Sequence, residues 1–270
     1  MRIPVYHIDA FADRPFAGNP AAICPLPHWL PDHVLQSIAA EHNLSETAFY
    51  VPRDVRVDGA YDLRWMTPAV EVDLCGHATV AAAHVIMDLR REFAGDALRF
   101  QTKSGELTVT KSEKRYALNF PARPALPCAP PPGLAEALGA QPAAILAARD
   151  YLCVFQTAAE VLALKPDFRK IAALAQFGVI ATAPGTDCDF VSRFFAPAKG
   201  IDEDPVTGSA HCTLIPYWAK RLGKTILFAR QVSARGGQLW CEDRGERVQI
   251  AGHAVKFSEG VIELSDAMMV

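Results

Sequence analysis

A chain of 270 residues, 50% of them hydrophobic, buries either one large core or two of about 130 residues each. Its charged residues are about evenly split, with a formal net charge of −3, so no nucleic-acid or other polyanion partner is suggested. No apolar run approaches the roughly 20 residues that a membrane crossing needs, and Met1-Arg2-Ile3-Pro4-Val5-Tyr6-His7-Ile8-Asp9 lacks the apolar core of a signal peptide, so a soluble cytoplasmic protein without a membrane partner is expected.

Ile3–Ala10 reads as a strand, and Gly18-Asn19-Pro20 as a turn into a second strand, Ala21–Cys24. Pro31-Asp32 opens a helix whose apolar Val34, Leu35, Ile38 and Ala39 fall at helical spacing and which closes near Asn43. Thr47–Val51 and Tyr61–Met66 follow as strands, then a helix over Thr79–Leu89 and two strands around Lys103-Ser104-Gly105. Pro121 to Pro132 is proline-rich and reads as a linker between domains. Beyond it, Pro132–Leu138 and Asp167–Gln176 read as short helices around a Tyr151–Gln156 strand. Phe177–Thr182 and Phe190–Phe195 read as strands before a further apolar helix. Strands near Arg230–Ala234, Gln238–Cys241, Arg247–Ala251, Ala254–Phe257 and Ile262-Glu263-Leu264 complete an α+β pattern with mostly antiparallel pairing.

Two stretches, Asp62–Ile86 and Asp189–Leu222, read as copies of one unit. Each runs from a strand ending in proline (Pro68, Pro197) through an acidic loop to Gly-x-Ala (Gly76-His77-Ala78, Gly208-Ser209-Ala210) and an apolar helix. Two half-domains are therefore expected, residues 1–118, completed by 258–270, and residues 119–257. Each is a mostly antiparallel half-barrel wrapped around a central helix, and the active site is expected between them. A helix N-terminus carries unpaired N–H groups and about half a positive charge, so it holds a carboxylate or phosphate without a basic side chain. Glycine there lets the ligand come close to the backbone. One such start is most simply an ordinary helix opening, whereas a matched pair points to a small anionic ligand.

Glu46 has no counterpart in the second copy. It sits where a helix has ended and the apolar strand Ala48-Phe49-Tyr50-Val51 begins, the setting of either a solvated loop charge or a desolvated base with a raised pKa. In the acidic run Asp202-Glu203-Asp204, one member can reach a ligand at the Gly208 helix start and the others read as solvated. Seven cysteines without a Cys-x-x-Cys pair, and histidines without a spacing such as His-Glu-x-x-His, point to neither a disulfide framework nor a metal.

Seven segments together carry a resemblance. They are Asp9-Ala10-Phe11 with Phe16 to Ala22; Asn43-Leu44-Ser45-Glu46-Thr47-Ala48-Phe49; Arg64-Trp65-Met66-Thr67-Pro68; Leu74-Cys75-Gly76-His77-Ala78-Thr79; Ser104-Gly105-Glu106-Leu107; Glu203-Asp204-Pro205-Val206-Thr207-Gly208-Ser209-Ala210-His211; and Gln231 with Arg235-Gly236-Gly237. On these the chain resembles the phenazine-biosynthesis PhzF-like family, which has the diaminopimelate-epimerase-like fold. The resemblance implies an isomerase without a cofactor, in which Glu46 moves a proton on a small carboxylic acid. It places His77 and Asp204 in support of the reaction and Asn19, Ser45, Gly76, Gly208 and Ser209 at substrate-contacting positions. It also adds a homodimer to the expectations.

Two other readings stay open. Related racemases use two cysteines, one before each glycine, and this chain has Cys75 but Thr207. Threonine is no acid or base near neutral pH, which leaves a Cys75-dependent dehydratase or epimerase of the proline-racemase type, with the helix start favouring the thiolate. A non-catalytic binding protein needs neither Cys75 nor Glu46.

Overall fold

The computed structural model describes residues 1–53 and 59–265. The tail 266–270, assigned above to the first half-domain, lies outside the described residues. Two compact units are present, one formed by Met1–Asn119 with the chain from Ala251 on, the other by Phe120–Ile250. Among the described residues no helix is long and apolar enough to cross a membrane.

In the first unit the strands Arg2–Ala10, Asn19–Pro25, Glu46–Pro52, Ala60–Met66, Ala97–Thr102 and Gly105–Ser112 lie side by side in that order. Their pairings run antiparallel, parallel, antiparallel, parallel, antiparallel. The second unit repeats the sequence of senses over Ala144–Ala147, Tyr151–Val154, Val179–Pro184, Phe190–Ala196, Ile226–Gln231 and Gly237–Asp243. Antiparallel neighbours are joined by short turns, and each parallel step needs a crossover. The last crossover of each unit carries its central helix, Gly76–His84 or Gly208–Leu222.

The Gly76 helix is buried without interruption from His77 to Ala83, the pattern of a helix that is apolar all round and enclosed by its unit. It packs on the Arg2, Asn19, Glu46, Gly105 and Ala254 strands, and its four alanines let those backbones come close. It begins three residues before the Thr79 expected from sequence, and at Val85–Leu89 it widens into a π-turn in which Arg90 N–H donates to Val85 O at 2.8 Å. That turn carries Asp88 to Tyr116 and Lys111.

The Gly208 helix contains Pro216, which has no N–H to offer the Cys212 carbonyl four residues back. Arg123 N–H takes that carbonyl instead, at 2.8 Å. The proline-rich stretch read as a linker thus belongs to the second unit, where Leu126–Pro127 also pairs with Ala144–Ala147.

A second duplicated device fixes the approach to each central helix. Arg64 grips Glu71 through two bonds of 2.8 Å, and Arg193 grips Glu203 in the same way. Arg193 also donates to the carbonyls of Val161 and Leu164. Glu203 is therefore not solvated, as its acidic run had implied, but clamped in the short strand Ile201–Asp204. Bidentate pairing compensates a carboxylate for partial burial, and Arg64 holds the Glu71 carboxyl down at about 2.

Candidate active site

Glu46 is the first residue of its strand, directly after the half-buried Ser45. Its side chain is 13% exposed, and Oε2 lies 3.2 Å from His77 Nε2. His77 is the second residue of the Gly76 helix. Both atoms are buried, and their contact lacks the alignment of a hydrogen bond. On its other side His77 Nδ1 lies 3.5 Å from Cys75 Sγ. Residues two apart do not meet on a helix surface; these do because Cys75, the N-cap, is still extended at φ −144° and ψ 110°.

Burial pushes His77 down to about 3, while the Pro20 backbone beside it pulls the other way. The imidazole is therefore neutral near pH 7. Glu46 faces a polar neutral group rather than a cation, so the contact is not an ion pair at that pH. Asn19, fully buried, starts the strand whose Ala21 pairs with Glu46. Neither Cys75 nor Thr207 caps its helix through its side chain, whereas the Ala158 and Phe168 helices are capped by Thr157 and Asp167.

Counting back from the matched pairs Phe49↔Arg64 and Ala181↔Arg193, the Glu46 position falls on Gly178 in the second unit. A β-carbon there would stand 2.8 Å from both the Phe194 ring and the Phe195 carbonyl oxygen, so the second unit lacks space for a side chain at this position as well as the glutamate.

The second unit gathers Asp204, Thr207, Gly208 and Ser209 by themselves. Thr207 Oγ1 donates to Asp204 and accepts from Gln231 Nε2 at 3.1 Å, and Thr207 N–H donates to Gln231 Oε1 at 2.9 Å. Gln231 is 1% exposed, and it locks the threonine in place. Among the described residues, no atom beyond its chain neighbours and its own helix backbone stands within 4 Å of where a Gly208 β-carbon would lie. Ser209 Oγ accepts from Arg149 Nη2 at 3.1 Å, and Arg149 is itself held by buried Asp150 and stacked on Phe177 at 4.3 Å. Sequence reasoning missed Arg149; its only signal was an Arg-Asp pair before an apolar strand. Of the aromatics near the motifs, Phe11 and Trp65 are core residues, but Phe16 is 74% exposed at φ +69°, its N–H tied to Asp9.

A family model described as phenazine biosynthesis-like protein matches residues 8–260. The chain belongs to the PhzC-PhzF family. An uncharacterized isomerase of Pseudomonas aeruginosa is 53% identical to this family member over 264 residues, 98% of this chain and 100% of that protein. A crystal structure of a PhzF-family protein of Enterococcus faecalis has 47% identity and a TM-score of 0.94, covering 98% of this chain and 100% of the other. A predicted epimerase of Pseudomonas aeruginosa, 20% identical with a TM-score of 0.73 over 97% and 100% of the two chains, shares the fold. The expected diaminopimelate-epimerase-like α+β fold is therefore found. That PhzC-PhzF relatives are named isomerases supports an isomerase here.

Proposed function

We propose that this PhzC-PhzF protein isomerises a small carboxylic acid by moving one proton, with Glu46 as acid and base and with no cofactor. The observation that carries the reading is the buried Glu46 Oε2 beside a neutral His77, at a helix start without a side-chain cap. In the proposed reaction the substrate carboxylate lies on the N–H groups of the Gly76 helix, which stabilise the charge that develops as an adjacent carbon acid ionises. Glu46 carboxylate takes the proton from carbon, becomes the neutral acid, and returns the proton elsewhere on the same face. Atoms and electrons balance within the substrate, and enzyme and solvent end unchanged.

His77, Asn19 and Ser45 are assigned to positioning Glu46 and the substrate. In the second unit Asp204, acting through Thr207, and Ser209, fixed by Arg149, are assigned to preparing the Gly208 start for an anionic group. The second reading, a Cys75 mechanism, is favoured by the 3.5 Å contact of its thiol with the same His77. Chromatographic screening of small carboxylic acids for a product of unchanged mass tests the proposal. Wild type is expected to form such a product and Glu46→Gln to form none; a product lacking the elements of water, dependent on Cys75, would replace this reading with the dehydratase.

A further inference from the structure

One ligand-type atom from each of Glu46, Cys75 and His77 lies within 4.8 Å of the other two. The three come from a strand start and a helix start, so no local metal motif is visible in the sequence. We propose that these side chains form a binding site for a borderline-soft divalent cation of the zinc type, and that its occupancy switches off proton transfer by taking Glu46 as a ligand.

The geometry is close to what such an ion requires. On tetrahedral zinc, with Zn–N and Zn–O near 2.0–2.2 Å, a nitrogen and an oxygen ligand stand about 3.3 Å apart, and a sulfur and a nitrogen about 3.6 Å. Glu46 Oε2 and His77 Nε2 are 3.2 Å apart, and Cys75 Sγ and His77 Nδ1 are 3.5 Å apart. The two short contacts use opposite ring nitrogens, so an ion on one of them needs the thiol or the carboxylate to move in from a distance of up to 4.8 Å. His77 is 7% exposed, and its Nε2 is buried against the Glu46 carboxylate in a contact that lacks hydrogen-bond alignment, so an ion drawn in here would meet both groups.

Thiolate, imidazole and carboxylate suit zinc or cadmium, whereas magnesium and calcium select oxygen ligands. Three protein ligands leave a fourth position for water. Binding releases the Cys75 thiol proton to solvent and moves no electron. Only the inhibitory consequence rests on the Glu46 reading; the binding site does not.

The test is a cadmium titration of the full chain, read by the ultraviolet thiolate-to-cadmium charge-transfer band, with magnesium as the comparison ion. Wild type is expected to develop the band at one equivalent per chain and to lose it with a chelator. Cys75→Ser should abolish the band, and Glu46→Gln should weaken binding at least about tenfold. Cys188→Ser, at a cysteine away from the three, should leave the titration unchanged. Circular dichroism of each variant verifies its fold. No band in wild type, a band retained in folded Cys75→Ser, or equal competition by magnesium would overturn the proposal. Because the titration needs no substrate, its failure leaves the isomerase reading standing, and failure of the isomerase screen leaves the metal site standing.

Discussion

Replacing Arg193 with methionine isolates the clamp on the acidic run of the second unit. The arginine side chain is 12% exposed and its partner Glu203 is 20% exposed, so the variant strands a carboxylate in a poorly solvated place. Removing one partner of such a pair costs about 3–5 kcal/mol. The Val161 and Leu164 carbonyls lose their donor as well, which pushes the total to the upper end of that range. For a chain of this size about 1 kcal/mol moves Tm by roughly 2–4 °C, so differential scanning calorimetry should show Tm lowered by about 10 °C or more. Because the cost lies in the stranded charge, adding Glu203→Leu should recover part of it, a coupling that a double-mutant cycle reads directly. Asp202→Asn, at the exposed neighbour, should change stability by less than about 0.5 kcal/mol. A loss below about 1 kcal/mol for Arg193→Met, or a double variant whose losses simply add, would refute the clamp.

Acid should destabilise the protein through its buried histidines. Burial holds His77 at about 3 and His211 at about 4, both below the ordinary 6.5. The unfolded chain therefore binds protons that the native state refuses, so stability is full above about pH 6.5 and falls as pH drops toward 4; melts across that window should show the decline, and His211→Gln should flatten it. Gly178→Ala should lower stability by about 1–3 kcal/mol, because its methyl meets the Phe195 backbone as well as a ring, and an unchanged denaturation midpoint would contradict the register match. Gly208→Ala adds a methyl into open space, so stability should stay within about 0.5 kcal/mol while the apparent KM for the substrate rises; an unchanged KM would remove Gly208 from the binding groups.

The repeat was legible because both copies keep the same order of strand, proline, acidic segment and Gly-x-Ala, and the Asp32 helix was legible because Val34, Leu35, Ile38 and Ala39 all face the core. Other elements were hidden by competing signals. Ala144–Ala147 lies in an alanine-rich run that favours helix by propensity, yet it pairs on both sides, with Leu126–Pro127 and Tyr151–Val154. Ile201–Asp204 carries three acids that disfavour a strand, and Arg193 compensates one of them. The strand read near Arg230–Ala234 runs instead over Ile226–Gln231, in register with Gly237–Asp243. Within the candidate site, Glu46 stood out as a carboxylate opening an apolar strand, but its contact with His77, thirty-one positions on, is made by tertiary packing alone. Arg149 was illegible for the same reason, since its role depends on Ser209, sixty positions later.

Solvent-deuterium incorporation, read by mass spectrometry, tests most directly whether Glu46 moves a proton on carbon. A panel of small cyclic and amino carboxylic acids would be incubated in heavy water with wild type, Glu46→Gln and Cys75→Ser. The account predicts deuterium uptake into a member of the panel by wild type and Cys75→Ser, and a loss of about a hundredfold or more in Glu46→Gln. Uptake preserved in Glu46→Gln and lost in Cys75→Ser would contradict it and assign the proton to the thiol.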